Sequence, residues 1–269
     1  MYPIFDAHCH IYPDNLAPRA VGGIDAFYGG LPVKPLDGTV NTLLETGRAA
    51  GILRFLVHSV ATTPHQVVSI NAFIARSVAQ SGGAFVGFGA LHPDSEDQEG
   101  DLRRLIALGL RGVKLHPDIQ RFPADDPRAM AIYELCADAG LPVLLHAGDA
   151  RFDYSNPNRV ARVLKAFPGL KLIAAHLGGW SVWDDAVRVL PDCSNLLVDA
   201  SSCSRWLSPA RMREIIRAYG ANRVLFGTDY PMWDPSEELA RFNAIPLTEE
   251  ERQQVLWQNA NRLFRLGLT

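Results

Sequence analysis

Residues 5–10 read FDAHCH, a short run of apolar and small residues that ends in two histidines two positions apart. The same shape recurs down the chain. Short apolar runs end in histidine at RFLVH (54–58), FGALH (88–92), GVKLH (112–116), PVLLH (142–146) and LIAAH (172–176), while RVLFGTD (223–229) ends in Asp229. Seven of the eight histidines therefore close a strand-like run, and only His65 lies elsewhere. Histidine and carboxylate gathered at the ends of strands describe a barrel whose rim holds a metal.

Working outward, strands are expected at 3–8, 53–58, 84–91, 110–116, 141–146, 170–175, 194–199 and 222–227. Segments of helical period separate them, at 40–50, 64–81, 95–107, 127–139, 157–166, 180–190 and 208–219, with 236–243 and 248–264 after the last strand. Proline at first-turn positions (Pro127, Pro157, Pro209) and the Thr248-Glu249-Glu250-Glu251 run mark helix starts. Gly140 and Gly169 are among the glycines that stand where helices should end. Eight strands alternating with helices predict a single-domain α/β (β/α)8 barrel over residues 1–269, a length close to the roughly 250 residues usual for that fold. A doubly wound open sheet is the alternative, without a GxGxxG after the first strand to support it. Residues 11–38, rich in glycine and proline, read as a long loop after strand one that lies over the rim.

Composition narrows the class. Apolar residues make up 48% and charged residues 20%, as in a soluble globular enzyme. A net charge of −3 provides no basic field for nucleic acid. No apolar stretch approaches the ~20 residues that span a bilayer. Cys9, Cys136, Cys193 and Cys203 show no CxxC pairing and read as reduced thiols. With no basic, apolar leader at the N-terminus, a cytoplasmic location is expected. A small molecule is the expected partner, and a homodimer the one macromolecular association left open.

His8 and His10 share a strand face at roughly 6.5 Å between Cα atoms, a spacing from which two imidazoles can reach one ion. Two surface histidines on an edge strand would give the same pattern. Asp6, on the same face, is placed to orient a ligand. His146, followed by Ala147-Gly148-Asp149, reads as a third ligand or as a core histidine bonded to a carbonyl. Asp229 reads as a carboxylate ligand that accepts a proton, or as a helix N-cap. His176, ahead of Gly178-Gly179, is placed to act on substrate as electrophile or general acid, or to supply another metal ligand. Lys114 and His116 share a face on strand four. Arg151, Asp153, Tyr154, Trp180, Trp183 and Asp184 follow strands five and six and either shape a substrate site or pack loops. Arg19 and Tyr28 fall in the long first segment, and Asp199 ends strand seven. His58 and His92 read as structural.

The phrases DAHCH, GVKLHP, LLHAGD, LIAAHLGGW and RVLFGTDYPMWDP, with the WQNANRLFRL tail, resemble the amidohydrolase-related branch of the amidohydrolase superfamily over nearly the whole chain. The resemblance implies a (β/α)8 barrel with a divalent metal, usually zinc, at its rim. It makes His8, His10, His146 and Asp229 the ligands and His176 the residue that positions or polarises substrate. Binuclear relatives carry a carboxylated lysine on strand four. Lys114 is therefore either a bridging ligand of a second ion or a cation for a substrate carboxylate, and one ion, zinc or manganese, is the expectation.

From this set we expect a hydrolase in which zinc-activated water attacks an amide, lactone or ester of a small carboxylate-bearing molecule. Asp229 would take the proton, and Lys114, His116, Arg151 and Trp180 would contact the substrate. The alternative is a non-oxidative decarboxylase of an aromatic or unsaturated acid. A non-catalytic metal-binding barrel is the third reading, since fold alone does not fix function.

Overall fold

The computed structural model describes residues 2–30 and 32–268. In chain order the elements are β1 (Phe5–His10), α1 (Ala17–Phe27), α2 (Val40–Ala49), β2 (Arg54–His58), α3 (Val67–Gln80), β3 (Phe85–Gly87), β4 (Gly89–Ala90), α4 (Gln98–Ala107), β5 (Val113–Leu115), α5 (Pro117–Gln120), α6 (Pro127–Asp138) and β6 (Val143–Leu145). They continue with α7 (Pro157–Ala166), β7 (Leu172–Ala174), α8 (Trp183–Val189), β8 (Leu196–Asp199), α9 (Pro209–Tyr219), β9 (Val224–Leu225), α10 (Pro235–Asn243), α11 (Glu249–Gln253) and α12 (Asn259–Phe264). The expected alternation is present; β1 lies two residues later than the expected 3–8, the other strands are shorter than expected, and the third is broken at Phe88 into β3 and β4. Among the described residues no helix is long and apolar enough to cross a membrane.

The chain divides into two compact units, Met1–His58 with Ser77–Val86 and Ala200–Thr269, and Ser59–Arg76 with Gly87–Asp199. In the first, all six residues of β1 are buried, as expected of a parallel strand covered on both faces. β1 pairs in parallel with β2 through Phe5↔Arg54, Asp6↔Phe55, Cys9↔Val57 and His10↔His58, with a register shift between Asp6 and Cys9. Its other edge meets the segment after β9: Ala7 N donates to Phe226 O (2.8 Å), Asp229 N to His8 O (2.9 Å) and His10 N to Tyr230 O (2.7 Å). The extra residue in β1 sits beside His8, and such a bulge re-aims the side chains around it.

In the second unit β4 to β8 pair in parallel in chain order, Gly89↔Val113, Lys114↔Leu144↔Ile173↔Leu197 and Leu115↔Leu145↔Ala174↔Val198. The rows are in register without a shift, so the next row carries His116, His146, Ala175 and Asp199 side by side. Interior residues are mostly branched aliphatics, and the intervening helices make the crossovers that parallel strands need.

Helix ends follow their local chemistry. Asp126, Ser208, Asp234 and Thr248 each accept a backbone N–H from the first turn that follows them, and Thr248 forms a reciprocal pair with Glu251. Gly140 takes a left-handed φ of 66° after α6, whereas Gly169 does not, because α7 already ends at Phe167. Residues 249–264 form one unbroken helical stretch, with a widened turn at Gln254–Gln258 between α11 and α12. The segment 11–38 departs most from expectation. It holds the helix α1 despite Gly22-Gly23, because Val21 and Ile24 pack against Met232 and Trp233. Leu31 of that segment lies outside the described residues.

Two consequences are measurable. A Cβ on Gly47 of α2 would sit 2.3 Å from Phe55 Cζ on β2, so Gly47→Ala is expected to cost about 1–3 kcal/mol of unfolding free energy. A lowered urea midpoint with unchanged slope reports it. Glu238 on α10 is buried; its Oε2 accepts from Ser204 Oγ (2.8 Å), and its Oε1, 3.6 Å from Arg205 Nε, has no hydrogen-bond partner. Burial lifts its carboxyl from near 4.5 to about 7. The folded value lies above the unfolded one, so this group's contribution to stability falls as pH rises from about 4.5 to about 7. Glu238→Gln removes that slope. Relative to wild type, the variant should gain on the order of 3 kcal/mol between pH 5 and pH 8 in urea unfolding with chelator present.

Candidate metal centre and strand-end histidines

In the first unit the end of β1 and the segment after β9 bring three donor atoms together. His8 Nε2 and His10 Nε2 lie 3.3 Å apart, and Asp229 Oδ1 is 3.4 Å from the first and 3.5 Å from the second. Four ligands at about 2.0–2.1 Å around a tetrahedral zinc are spaced about 3.3–3.4 Å from one another. The three atoms thus have the mutual spacing of one face of such a coordination shell. All three residues are largely buried. The donor set and spacing fit the metal that the resemblance implies.

The surroundings hold that face in place. Asp6 accepts from His8 N (3.1 Å), Thr228 N (2.9 Å) and Thr228 Oγ1 (2.6 Å), tying β1 to the segment after β9. The orienting contact that the sequence suggested for Asp6 is made to the backbone of His8. Burial lifts its carboxyl to about 6 against those hydrogen bonds. Asp229 has a left-handed φ of 61° and is not an N-cap; Asp234 caps α10 instead. His58, expected to be structural, stands edge-on to His8 (4.9 Å) and His10 (4.4 Å) and adds a third imidazole to the cluster. Two residues escaped the sequence reading. Ser201 Oγ is 3.2 Å from His8 Nδ1, and Ser202 Oγ donates to Asp229 Oδ2 at 2.5 Å.

The second unit gathers the other histidines. His116 caps α5, its Nδ1 accepting from Ile119 N (3.3 Å), and its ring stacks flat on His146 at 3.9 Å. His146 Nε2 lies 3.1 Å from Gly148 O, and His146 Nδ1 lies 3.1 Å from His176 Nε2. A carbonyl only accepts, so Nε2 of His146 carries the hydrogen and Nδ1 accepts one from His176. Burial, reinforced by the neighbouring His116, His176 and Lys114, holds His146 well below the ordinary imidazole range, and it is neutral here. His176, at φ 59°, donates its backbone N–H to Asp199 Oδ1 (3.2 Å). Gly148 permits the approach of the two loops: a Cβ there would meet Gly179 Cα at 2.6 Å, and Trp180 N donates to Ala147 O at 2.8 Å.

Lys114 is buried on β5 beside Leu144. Arg151, expected to meet substrate, pairs with buried Asp149 through two hydrogen bonds (2.9 and 2.7 Å), and its guanidinium faces Phe152 and Trp180. Asp153 pairs with Arg159, Tyr154 packs on Phe152, and Trp183 Nε1 donates to His176 O. Asp184 lies in the first turn of α8. His92 Nδ1 accepts from Asp94 N (3.1 Å), the structural role expected of it. Arg19 is exposed on α1, and Tyr28 closes that helix. The sequence reading also missed Asp118, which reads as an ordinary first-turn acid of α5. It is buried, accepts from Ser155 Oγ (2.5 Å), lies 3.8 Å from His146 Nε2, and burial lifts its carboxyl to about 7.

Against known proteins, an amidohydrolase family model matches residues 5–266. The chain is 25% identical over 249 residues to a gamma-resorcylate decarboxylase of Polaromonas sp., covering 73% of this chain and 75% of that one. It is 24% identical over 241 residues to a 2-amino-3-carboxymuconate-6-semialdehyde decarboxylase of Dictyostelium discoideum, covering 74% and 66%. Among solved structures, a TIM-barrel protein from Bordetella bronchiseptica superposes with a TM-score of 0.81 at 23% identity, over 98% and 99% of the two chains. A manganese-bound dihydroxybenzoic acid decarboxylase from Polaromonas sp. gives 0.74 at 18% identity, over 99% and 98%. A 2-pyrone-4,6-dicarboxylic acid hydrolase from Pseudomonas putida gives 0.71 at 20%, over the full length of both. These likenesses show the TIM-barrel fold that the alternation of strands and helices predicts. With the family model matching from β1 to the residues just past α12, the chain belongs to the amidohydrolase family of metal-dependent enzymes.

Proposed function

We propose that this protein is a metal-dependent, non-oxidative decarboxylase of a small aromatic or unsaturated carboxylic acid. The observation that carries the metal is the triangle of His8 Nε2, His10 Nε2 and Asp229 Oδ1 at 3.3–3.5 Å. What moves the reading from hydrolysis to decarboxylation is the chemistry named for the relatives, both of which are decarboxylases of unsaturated or aromatic acids. His8, His10 and Asp229 would hold one divalent ion, manganese or zinc. The role of His146 as a further ligand rests on the resemblance alone.

When bound, the ion would supply a fixed positive charge that stabilises an anionic substrate. The remaining chemistry falls to the chain. Loss of CO₂ from R–COO⁻ leaves the electron pair on carbon, and one proton must be delivered there to give R–H. His176, whose Nε2 lies 3.1 Å from His146 Nδ1, is the proposed donor: as an imidazolium it would give its Nε2 proton to the carbon and be left as neutral imidazole. Lys114 would hold a substrate carboxylate as an unmodified cation. His116, stacked on His146, would bound the substrate, and Trp180 with Arg151 would shape the surrounding loops. Arg151 acts there through its packing, because Asp149 engages its guanidinium. Hydrolysis is the second reading, favoured by the likeness to the pyrone-dicarboxylate hydrolase.

Incubating the manganese-loaded protein with 2,6-dihydroxybenzoate in D₂O separates the readings. We expect CO₂ release and one deuterium on the product carbon. Water uptake by 2-pyrone-4,6-dicarboxylate with no CO₂ from aromatic acids would reverse the assignment, and inertness toward both would leave a non-catalytic metal binder. Chelator should abolish activity, and added manganese or zinc should restore it. His10→Ala and Asp229→Ala should each lose more than ~100-fold, beyond the cost usual for residues that only support ligands. Lys114→Met should lower kcat/KM for the acid by about 10- to 100-fold, the worth of one charge-assisted hydrogen bond, with metal content unchanged.

A further inference from the structure

Behind Asp229 runs a short chain of hydrogen bonds whose direction is imposed by chemistry. Trp233 Nε1 lies 2.7 Å from Ser202 Oγ, and Ser202 Oγ lies 2.5 Å from Asp229 Oδ2. An indole N–H can only donate, so Ser202 must accept from Trp233. Its single hydroxyl hydrogen is then left for Asp229, which in the ionised form that a metal ligand takes can only accept. The reverse polarity is not open to these three groups. With Oδ2 occupied from behind, Oδ1 is the oxygen turned toward His8 Nε2 and His10 Nε2.

We propose that Ser202 and Trp233 are positioning residues that fix Asp229 as a one-oxygen ligand; this rests on Asp229 being a metal ligand. The surroundings hold the relay rigid. Ser202 has a left-handed φ of 54°, and Ala200, two residues before it, donates its N–H to Leu225 O of β9 at 2.9 Å. The indole is buried, packs edge-on to Trp206 at 5.5 Å, and carries the Arg205 guanidinium 4.4 Å from its ring centre. Without the serine hydroxyl, Oδ2 loses its buried donor and competes with Oδ1 for the ion, and the carboxylate swings between the two arrangements.

The test is Mn²⁺ affinity of the full chain, by titration against a metal-indicator dye, for wild type, Ser202→Ala, Trp233→Phe and the double variant. Thermal unfolding in chelator checks that each is folded, and Trp233→Phe, which keeps the packing, carries the test if Ser202→Ala does not fold. We expect Ser202→Ala to weaken Mn²⁺ binding by about 10- to 100-fold, the range found for groups that orient ligands. Trp233→Phe should weaken it severalfold in the wild-type background and not at all in the Ser202→Ala background, because it acts through the serine. The inference is overturned by Ser202→Ala binding within twofold of wild type, or by Trp233→Phe costing the same in both backgrounds. Wild-type protein that takes up neither Mn²⁺ nor Zn²⁺ overturns the ligand reading itself, a failure distinct from the other two.

Discussion

A polar side chain taken out of water must be answered by a hydrogen bond or an ion, and each of the two units of this chain places imidazoles and carboxylates where water scarcely reaches. Asp6, His8, His58, Lys114, His146, Asp199 and Thr228 are all close to fully buried. Much of the local architecture answers that demand. Asp6 meets three donors from two separate stretches of chain. His146 is met on both ring nitrogens. His8 and His10 face each other and the Asp229 carboxylate, the arrangement on which the proposed ion rests.

Much of the fold was legible because parallel β/α architecture writes itself locally, in apolar runs, prolines at helix starts and capping polar residues. The strand-end histidines and Asp229 stood out for the same reason, each closing a short apolar run, although that position alone does not separate His92, which meets Asp94 N, from the others. What was not legible depends on contacts far apart in the chain. Ser201 and His8 are separated by 193 residues, and nothing near a serine pair announces a partner at that distance. The helix α1 was hidden by its own glycines, and its order comes from Met232 and Trp233, which local periodicity does not see. Arg151 read as a substrate contact or a loop-packing residue, and the buried Asp149 two residues before it engages its guanidinium through Nε and Nη2.

The ligand constellation does not by itself choose between adding water and losing CO₂. Both chemistries ask for a cation, a group to fix a carboxylate and a proton carried to or from a named nitrogen. They differ in what stands opposite the ion, a water for hydrolysis or a ring carbon for decarboxylation. Hence the geometry of His8, His10 and Asp229 supports the metal, and the choice of reaction leans on the relatives.

Asp229 and His176 both occupy left-handed backbone, at φ 61° and 59°. Aspartate and histidine are among the few residues with a side chain that enter this region readily, at a cost others pay in full, about 1–2 kcal/mol. Conformation and chemistry therefore narrow the same positions from two sides. Asparagine suits the backbone at 229 and lacks the charge, whereas glutamate keeps the charge and suits neither the backbone nor the reach. On the proposed ligand role, neither exchange at 229 keeps both properties, which makes the residues around Asp229 the easier place for this site to change.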